Sequence, residues 1–189
     1  MNSFYSLDEL HNIGFKSIGK DVSISRKASI YGAENICIGS NVRIDDFCVL
    51  SGKITVGDYV HIAAYSALFA GNAGIELKDF SNISSRVCIY AVSDDYSGET
   101  MTNPMIPEKY KNVTEQKVVL EKHTIIGSGT TILPGVSICE GTAVGAMSMI
   151  KESTQPWGIY AGIPAKLIKE RKRELLKLER SFLDESREN

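Results

Sequence analysis

An aliphatic residue recurs at every sixth position over long stretches of this 189-residue chain. The clearest run is TIIGSGTTILPGVSICEGTAVGAMSMI, residues 124–150, where the repeated positions are Ile126, Ile132, Ile138, Val144 and Ile150. A period of six fits neither one face of an α-helix nor the alternation of an ordinary β-strand. Repetition at a short fixed period is instead typical of solenoid proteins.

The same step continues upstream and groups the aliphatic residues into six sets of three. Three hexapeptides per turn predict three short strands per coil, with the aliphatic side chains pointing into a triangular prism of stacked coils. We therefore predict an all-β solenoid, a parallel β-helix of six coils. A β-sandwich is less favoured, because its turns come at irregular spacings. The sets are Ile18, Ile24 and Ile30; Ile38, Ile44 and Leu50; Val56, Ile62 and Leu68; Leu77, Ile83 and Ile89; Leu120, Ile126 and Ile132; and Ile138, Val144 and Ile150.

Two other positions of the repeat indicate tight packing. Small residues, predicted to fill the corners of the prism, lie four places after the aliphatic residue, at Thr130, Val136, Thr142 and Ser148. Glycines directly follow the inward residue at Gly39, Gly57, Gly127 and Gly145. At such positions the chain turns or packs closely without a Cβ.

The extent of the repeat predicts how one domain is organised. Residues 1–17 form an N-terminal helical segment, and residues 18–155 form the β-helix. A long loop at 90–119 interrupts the repeat after the fourth coil, and loops on a rigid scaffold often carry function. Residues 156–189 form a C-terminal tail and helix, with an amphipathic helical pattern from Lys166 onward.

Composition narrows the classes of function. A formal net charge of -2 argues against a nucleic-acid partner, even though the stretch KLIKERKRELLKLER is basic. We expect no membrane span, because no apolar stretch approaches the roughly 20 residues required. The first residues lack the pattern of a signal peptide, so we expect a cytoplasmic protein. The four cysteines are far apart with no C-x-x-C spacing, and we expect neither a metal site nor a disulfide framework.

Three features together resemble the hexapeptide-repeat acyltransferases: the repeats, the loop YAVSDDYSGETMTNPMIPEKYKN and the tail VGAMSMIKESTQPWGIYAGIPAKLIKER. The resemblance is to the sugar O-acetyltransferases, including galactoside and maltose acetyltransferases and enzymes that modify bacterial surface polysaccharides. It covers residues 18 to about 171. It implies a left-handed β-helix, against the usual right-handed rule for parallel strands. It also implies a homotrimer with active sites between subunits, acetyl-CoA as donor and a sugar as acceptor.

Transfer of an acetyl group to a hydroxyl needs a base for the hydroxyl proton and donors for the oxyanion. The resemblance places the catalytic histidine of the galactoside enzymes at Asp94, within a loop that contains no histidine here. It places His61 on an active-site tyrosine. We therefore expect His61 and Asp94 to share one pocket, with His61 as base and Asp94 either accepting its other N–H or binding the sugar. His123, at a corner one coil further on, is the rival base.

The resemblance also implies a donor site in the last coils and the tail. Ser128 and Ala146 are expected along the pantetheine arm of coenzyme A. Lys151, Lys166 and Lys169 are expected near its phosphates, for which lysine is a mobile point charge.

Four functions remain open, with an acetyl-CoA-dependent sugar O-acetyltransferase acting by direct transfer as the first. The alternative is an N-acetyltransferase of a nucleotide-linked amino sugar, which shares the scaffold and has less need of a base. A zinc carbonic anhydrase would need three histidines, two of them close in sequence, whereas His61 and His123 are far apart. A noncatalytic scaffold trimer is less favoured because of the lysine-rich tail and the long loop.

Overall fold

The computed structural model describes residues 3–188 as a stack of short parallel strands with one helix near each end. The helices are α1 (Leu7–Ile13) and α2 (Leu175–Glu188), and 3-10 turns lie at Ala33–Asn35 and Glu108–Tyr110. The first ten strands are β1 (Ser17–Ile18), β2 (Ser23–Ile24), β3 (Ser29–Tyr31), β4 (Ile36–Ile38), β5 (Arg43–Ile44), β6 (Val49–Val56), β7 (His61–Ile62), β8 (Ala67–Leu77), β9 (Asn82–Ile83) and β10 (Cys88–Tyr90). The others are β11 (Val92–Ser93), β12 (Thr114–Glu115), β13 (Val118–Leu120), β14 (Ile125–Ile126), β15 (Thr131–Ile132), β16 (Ser137–Ile138), β17 (Ala143–Val144), β18 (Met149–Ile150), β19 (Gly158–Gly162) and β20 (Ala165–Glu170).

The strand register confirms the predicted sets of three, because each aliphatic residue pairs in parallel with its counterpart in the next coil. The first face of the prism stacks Ile18, Ile38, Val56, Leu77, Leu120 and Ile138. The second face stacks Ile24, Ile44, Ile62, Ile83, Ile126 and Val144. The third face stacks Ile30, Leu50, Leu68, Ile89, Ile132 and Ile150.

The number of coils differs slightly from the prediction. The chain makes about seven turns rather than six and forms a parallel β-solenoid consistent with the predicted left-handed β-helix. The additional layer is β19, in which Tyr160 pairs with Val144 on the second face. Tyr160 is neither aliphatic nor six residues after Ile150, so a pattern of aliphatic spacing could not reveal it.

The interior is packed as the repeat predicted. Inward residues such as Ile44 and Ile126 are fully buried, and the small corner residues Thr130 and Thr142 are fully buried as well. Neighbouring coils pack closely at glycines, because a Cβ on Gly127 would be only 2.4 Å from the backbone nitrogen of Ala146. Apolar burial of this kind contributes roughly 25 cal/mol per Å².

Each corner of the prism turns at the third residue after an inward aliphatic residue, and that residue usually has a positive φ. Tyr59 (φ 58°) and Phe80 (φ 57°) occupy this position between the first and second faces. Tyr65 (φ 64°) and Arg86 (φ 61°) occupy it between the second and third faces. Because successive coils share one register, these corner side chains stack in ladders on the outside of the prism.

The C-terminal tail contradicts the prediction of a helix from Lys166 onward. Residues 165–170 form β20, which pairs antiparallel with β19, and α2 begins only at Leu175. The hairpin satisfies the backbone hydrogen bonds of both strands, and Leu167 packs over Gly158. The tertiary contact therefore overrides the amphipathic pattern of this segment.

The long loop leaves the third face after Tyr90 and returns to the first face at Val118. Its base is closed by β11 and β12, which pair antiparallel. Its tip carries Tyr96, whose side chain is 93% exposed. The loop therefore lies beside the corner between the third and first faces.

Candidate active site

The corner between the second and third faces, here called the open edge, is a ladder of corner residues in which Phe47, Tyr65 and Met147 are exposed. The ring of Phe47 stacks on that of Tyr65 with 4.9 Å between centroids. The next two positions of the ladder are Arg86 and Gly129, so the row of large side chains is interrupted at the fifth coil, before Met147 in the sixth. The complete ladder is Lys27, Phe47, Tyr65, Arg86, Gly129 and Met147.

His61 lies beside the open edge on the outer surface of the second face. Its Nε2 is hydrogen-bonded to Oδ2 of Asp45 at 2.8 Å, and Arg43 Nε donates to Oδ1 of the same carboxylate at 2.7 Å. An ionised carboxylate only accepts hydrogen bonds, so Nε2 carries the hydrogen and Nδ1 is the basic nitrogen. Partial burial by itself would raise the pKa of Asp45, but the hydrogen bonds from His61 and Arg43 outweigh it and lower that pKa.

Asp45 is a partner of His61 that reasoning from the sequence missed. It holds the imidazole N–H in the role expected of Asp94. The repeat could have revealed this pair. Asp45 directly follows an inward residue one coil before His61 and therefore faces the same edge. Pairing of Arg43 with His61 in adjacent strands fixes this proximity.

Asp94 lies in a separate cleft at the opposite side of the third face. The cleft has a volume of about 580 Å³ and is lined by Tyr90, Tyr96, Leu133 and Pro134 as well as Asp94. The third face separates this cleft from His61, so one chain does not bring His61 and Asp94 together. Their sharing of one pocket stays a prediction that depends on a neighbouring subunit.

The predicted pantetheine contacts lie on the open edge. Ser128 and Ala146 occupy equivalent corner positions in adjacent coils, and the carbonyl of Ser128 accepts a hydrogen bond from Met147 N at 2.8 Å. Gly127 and Gly145, one residue before each, add no side chain to this stretch of edge, whereas Met147 adds a large exposed one. Ser84 lies at the same corner one coil earlier, where its backbone N–H donates to the carbonyl of Ile126 at 2.9 Å.

The predicted phosphate contacts lie near the C-terminal end of the prism. Lys151 and Lys166 line a pocket of about 430 Å³ together with Gln155 and Tyr160. Lys169 lies on β20, where it pairs with Ile159. The structure therefore brings two of the three lysines into one pocket.

His123 occupies a different environment, at the corner between the first and second faces, here called the closed edge. Its ring is 7% exposed and stacks on Phe80 with 5.2 Å between centroids. Trp157 lies 6.4 Å away on the other side, where Gly141 leaves room for the indole. The closed edge comprises Tyr59, Phe80, His123, Gly141 and Trp157.

Helix α2 covers the closed edge and binds His123 directly. Glu179 Oε2 is hydrogen-bonded to Nε2 of His123 at 2.9 Å, and Lys122 pairs with the other carboxylate oxygen. Burial would raise the pKa of Glu179, but the hydrogen bonds from Lys122 and His123 outweigh it and lower that pKa. Arg171 Nη1 donates to the carbonyl of His123 at 2.8 Å. These contacts favour a structural role for His123.

A cavity of about 480 Å³ lies between α2 and the second face, lined by residues that include Asn82, Leu178 and Phe182.

Within residues 3–188, no three His, Cys, Asp or Glu side chains are grouped so that they could hold a metal ion. Neither helix in the described part of the chain has the length and apolar character that a bilayer span requires. The polar groups suited to acyl transfer are those of the open edge and of the Asp94 cleft.

Comparison with known proteins identifies relatives with the same fold. The family model described as bacterial transferase hexapeptide (six repeats) matches residues 38–70. An Escherichia coli dTDP-4-amino-4,6-dideoxy-D-glucose acyltransferase is 50% identical over 181 residues, which are 93% of this chain and 94% of that protein. WbbJ of E. coli strain K12, a proposed lipopolysaccharide biosynthesis O-acetyl transferase, is 32% identical over 155 residues, 77% of this chain and 74% of that one.

Crystal structures of AntD, an N-acyltransferase from Bacillus cereus, have the same fold at 58% identity. The S84C mutant, in complex with dTDP-4-amino-4,6-dideoxyglucose and coenzyme A, superposes with a TM-score of 0.96 over 98% of this chain and 99% of that chain. The D94A mutant, in complex with dTDP and coenzyme A, has a TM-score of 0.96 over 98% and 100% of the two chains. A further complex contains dTDP and 3-hydroxybutyryl-CoA, with a TM-score of 0.97 over 99% and 100%.

Proposed function

Because this chain belongs to the hexapeptide-repeat sugar acyltransferases, we propose that it transfers an acyl group from a coenzyme A thioester to the amine of a dTDP-linked 4-amino-4,6-dideoxy sugar. The observation that carries the proposal is the 58% identity to AntD over 98% of the chain, since AntD binds both dTDP-4-amino-4,6-dideoxyglucose and coenzyme A. This is the N-acyl alternative derived from the sequence, and it is better supported than O-acetylation.

The reaction proceeds by direct attack. The lone pair of the neutral amine forms a bond to the thioester carbonyl carbon, and the carbonyl oxygen becomes an oxyanion. Collapse of this intermediate breaks the C–S bond, the sulfur takes a proton, and the nitrogen loses one. Amide formation therefore needs a group that receives the amine proton and donors that stabilise the oxyanion.

Two residues of this chain are proposed for these steps. AntD has been crystallised with substitutions at its Ser84 and Asp94, and this chain has a serine and an aspartate at the same numbers. The Asp94 carboxylate is exposed in its cleft, where it can hold the amine and take its proton as the C–N bond forms. The hydroxyl of Ser84, on the open edge, can donate a hydrogen bond to the oxyanion or to the acceptor.

A homotrimer would complete this site. Ser84 and the predicted pantetheine contacts lie on the open edge, whereas Asp94 lies across the third face. If three copies turn their third faces towards a common axis, the open edge of one copy meets the Asp94 cleft of the next. Most soluble oligomers are symmetric homo-oligomers in which such interfaces repeat.

A substrate panel tests the proposed reaction. The purified protein would be incubated with acetyl-CoA or 3-hydroxybutyryl-CoA and an acceptor, and free coenzyme A would be measured with a thiol reagent. We expect turnover with dTDP-4-amino-4,6-dideoxyglucose and none with its 4-hydroxy counterpart dTDP-6-deoxyglucose. Turnover with the 4-hydroxy sugar alone would contradict the proposal.

A second candidate function, O-acetylation of a sugar hydroxyl, is favoured by one observation. A hydroxyl nucleophile needs a stronger base than an amine, and His61 with its N–H held by Asp45 is an oriented imidazole of the kind that such a reaction uses. The 32% identity to WbbJ points to the same class. Under this candidate His61 is the base, as we expected from the sequence, and dTDP-6-deoxyglucose in the panel would be the substrate.

A further inference from the structure

Resting on the proposed function, we infer that Arg86 binds the diphosphate of the nucleotide-linked acceptor and thereby selects nucleotide sugars over free sugars. Arg86, in the fourth coil, lies away from the lysines predicted for coenzyme A, which are near the C-terminal end of the prism.

Arg86 differs from Lys27 on the open edge and from Arg43 beside it in having no carboxylate partner. Lys27 Nζ is 2.9 Å from Oδ2 of Asp46, and Arg43 Nε is 2.7 Å from Oδ1 of Asp45. Among residues 3–188, Arg86 forms no ion pair, and its side chain is exposed. Its charge is therefore available to an external anion, whereas the charges of Lys27 and Arg43 are already compensated.

The side chain of Arg86 is also positioned by its neighbours. Its guanidinium carbon lies over the ring of Tyr65, 6.0 Å from the centroid, and Tyr65 in turn stacks on Phe47. A guanidinium held on an aromatic face keeps its N–H groups at the periphery, where they can form a bidentate contact with a phosphate. Lysine would supply only a mobile point charge.

The direction in which Arg86 points separates the acceptor from the donor. Arg86 is two residues after Ser84 at the same corner, and Tyr65, the residue on which it lies, belongs to the preceding coil. Ser128 and Ala146 belong to the two following coils, on the opposite side of Ser84. An acceptor diphosphate at Arg86 and a pantetheine arm at Ser128 would therefore approach Ser84 from opposite directions, as direct transfer between two bound substrates requires.

The experiment compares Arg86→Gln and Arg86→Lys with the unsubstituted enzyme, using dTDP-4-amino-4,6-dideoxyglucose and acetyl-CoA. We expect Arg86→Gln to raise the KM for the sugar nucleotide by about 10- to 100-fold, the usual worth of a charge-assisted hydrogen bond, with kcat and the KM for acetyl-CoA little changed. Arg86→Lys should recover only part of the loss. Titration calorimetry adds a readout that is independent of turnover: the unsubstituted enzyme should bind dTDP more tightly than dTMP, and Arg86→Gln should lose that difference.

Arg180→Gln is the matched control, because Arg180 is an exposed arginine on α2, remote from the open edge. It should leave all of these constants unchanged. The inference is overturned if Arg86→Gln keeps its affinity for dTDP, if it raises the KM for acetyl-CoA instead, or if light scattering shows that it dissociates the oligomer. If the unsubstituted enzyme neither binds dTDP nor acylates the amino sugar, the proposed function fails, and this result is distinguishable from a failure confined to Arg86.

Discussion

The open edge and the closed edge are built by the same rule and differ in what covers them. Both are ladders of corner residues that, apart from Lys27, have positive φ, and each has one histidine on it or beside it that is paired with one carboxylate. On the open edge the His61 side chain is 42% exposed and its partner Asp45 belongs to a neighbouring coil. On the closed edge His123 is 7% exposed and its partner Glu179 belongs to α2.

The difference teaches that the role of a histidine–carboxylate pair depends on whether the imidazole is exposed to solvent, since the two groups are the same in both pairs. His123 is held by ring stacking, by Glu179 and through its own carbonyl by Arg171, so its imidazole joins α2 to the prism. His61 has the same type of partner but faces solvent. We therefore expect substitutions on the closed edge to change stability, and substitutions facing the substrates to change kinetics.

The largest effect is expected at Asp94, in the cleft that we propose meets the open edge of a neighbouring copy. Asp94→Asn should lower kcat for the amino sugar by about 10²- to 10⁴-fold, the usual worth of a group that receives a proton in the transition state. The midpoint of urea unfolding should stay the same, because Asp94 is exposed. Stopped assays of product formation would measure the loss, and full activity in this variant would remove Asp94 from the mechanism.

A complementation experiment tests whether the open edge and the Asp94 cleft of one site belong to different chains. Ala146→Trp should block the predicted pantetheine groove on the open edge, and it should be inactive by itself. Co-expression with Asp94→Asn should restore part of the activity, because some interfaces would then combine an intact open edge with an intact Asp94 cleft. Mixed oligomers that remain as inactive as their parents would show that both halves of the site belong to one chain.

The next largest effect belongs to the closed edge. Trp157 is 5% exposed and lies against Gly141, so Trp157→Ala should leave a cavity and lower the free energy of unfolding by about 3–5 kcal/mol. Urea denaturation at one fixed protein concentration would measure it. The KM for the sugar nucleotide should be unchanged, and a raised value would mean that the closed edge also contacts substrate.

A smaller, pH-dependent effect is expected at the junction with α2. The pKa of Glu179 is lower in the folded protein, so its contribution to stability is present above the unfolded value of about 4.3 and is lost as the pH falls through the folded pKa. Glu179→Gln should therefore cost about 1–3 kcal/mol at pH 7, since its side chain is 11% exposed. Urea unfolding at pH 7 and pH 3.5 should show the gap between variant and parent shrinking at the lower pH. An equal gap at both values would contradict the assignment.

The smallest effect is expected at His61. With an amine acceptor, His61→Gln should lower kcat by less than about 10-fold, because the amine can arrive neutral. A loss of about 10²- to 10⁴-fold, with the same variant well folded by circular dichroism, would identify His61 as the base and favour the hydroxyl acceptor. Asp45→Asn is the matched variant, because it keeps the shape of the pair and removes its charge.

Much of the fold could be predicted, because the six-residue repeat of aliphatic residues is visible in the sequence. Ile44 and Ile62 are eighteen residues apart, and the structure pairs them in adjacent strands. The additional turn could not be predicted, since Tyr160 follows a shortened connection and is not aliphatic. The pattern at Lys166 was misleading because antiparallel pairing with β19 competes with helix formation and wins.

The site was less predictable than the fold. The sequence resemblance predicted Ser128 and Ala146 along one pantetheine arm, and the structure places them at equivalent corner positions of adjacent coils. It did not reveal Asp45, because a carboxylate beside an inward isoleucine has the same local pattern whether it binds solvent or an imidazole.

The sequence by itself determined the inward side of this protein: which residues face the prism, which of them stack, and where the chain leaves the stack. A fixed spacing suffices for that, because burial selects the same chemical type at the same position in every coil. Only the tertiary structure decided the outward side. Whether a corner histidine faces water or lies beneath α2 depends on where a distant helix docks, and no local spacing encodes that contact.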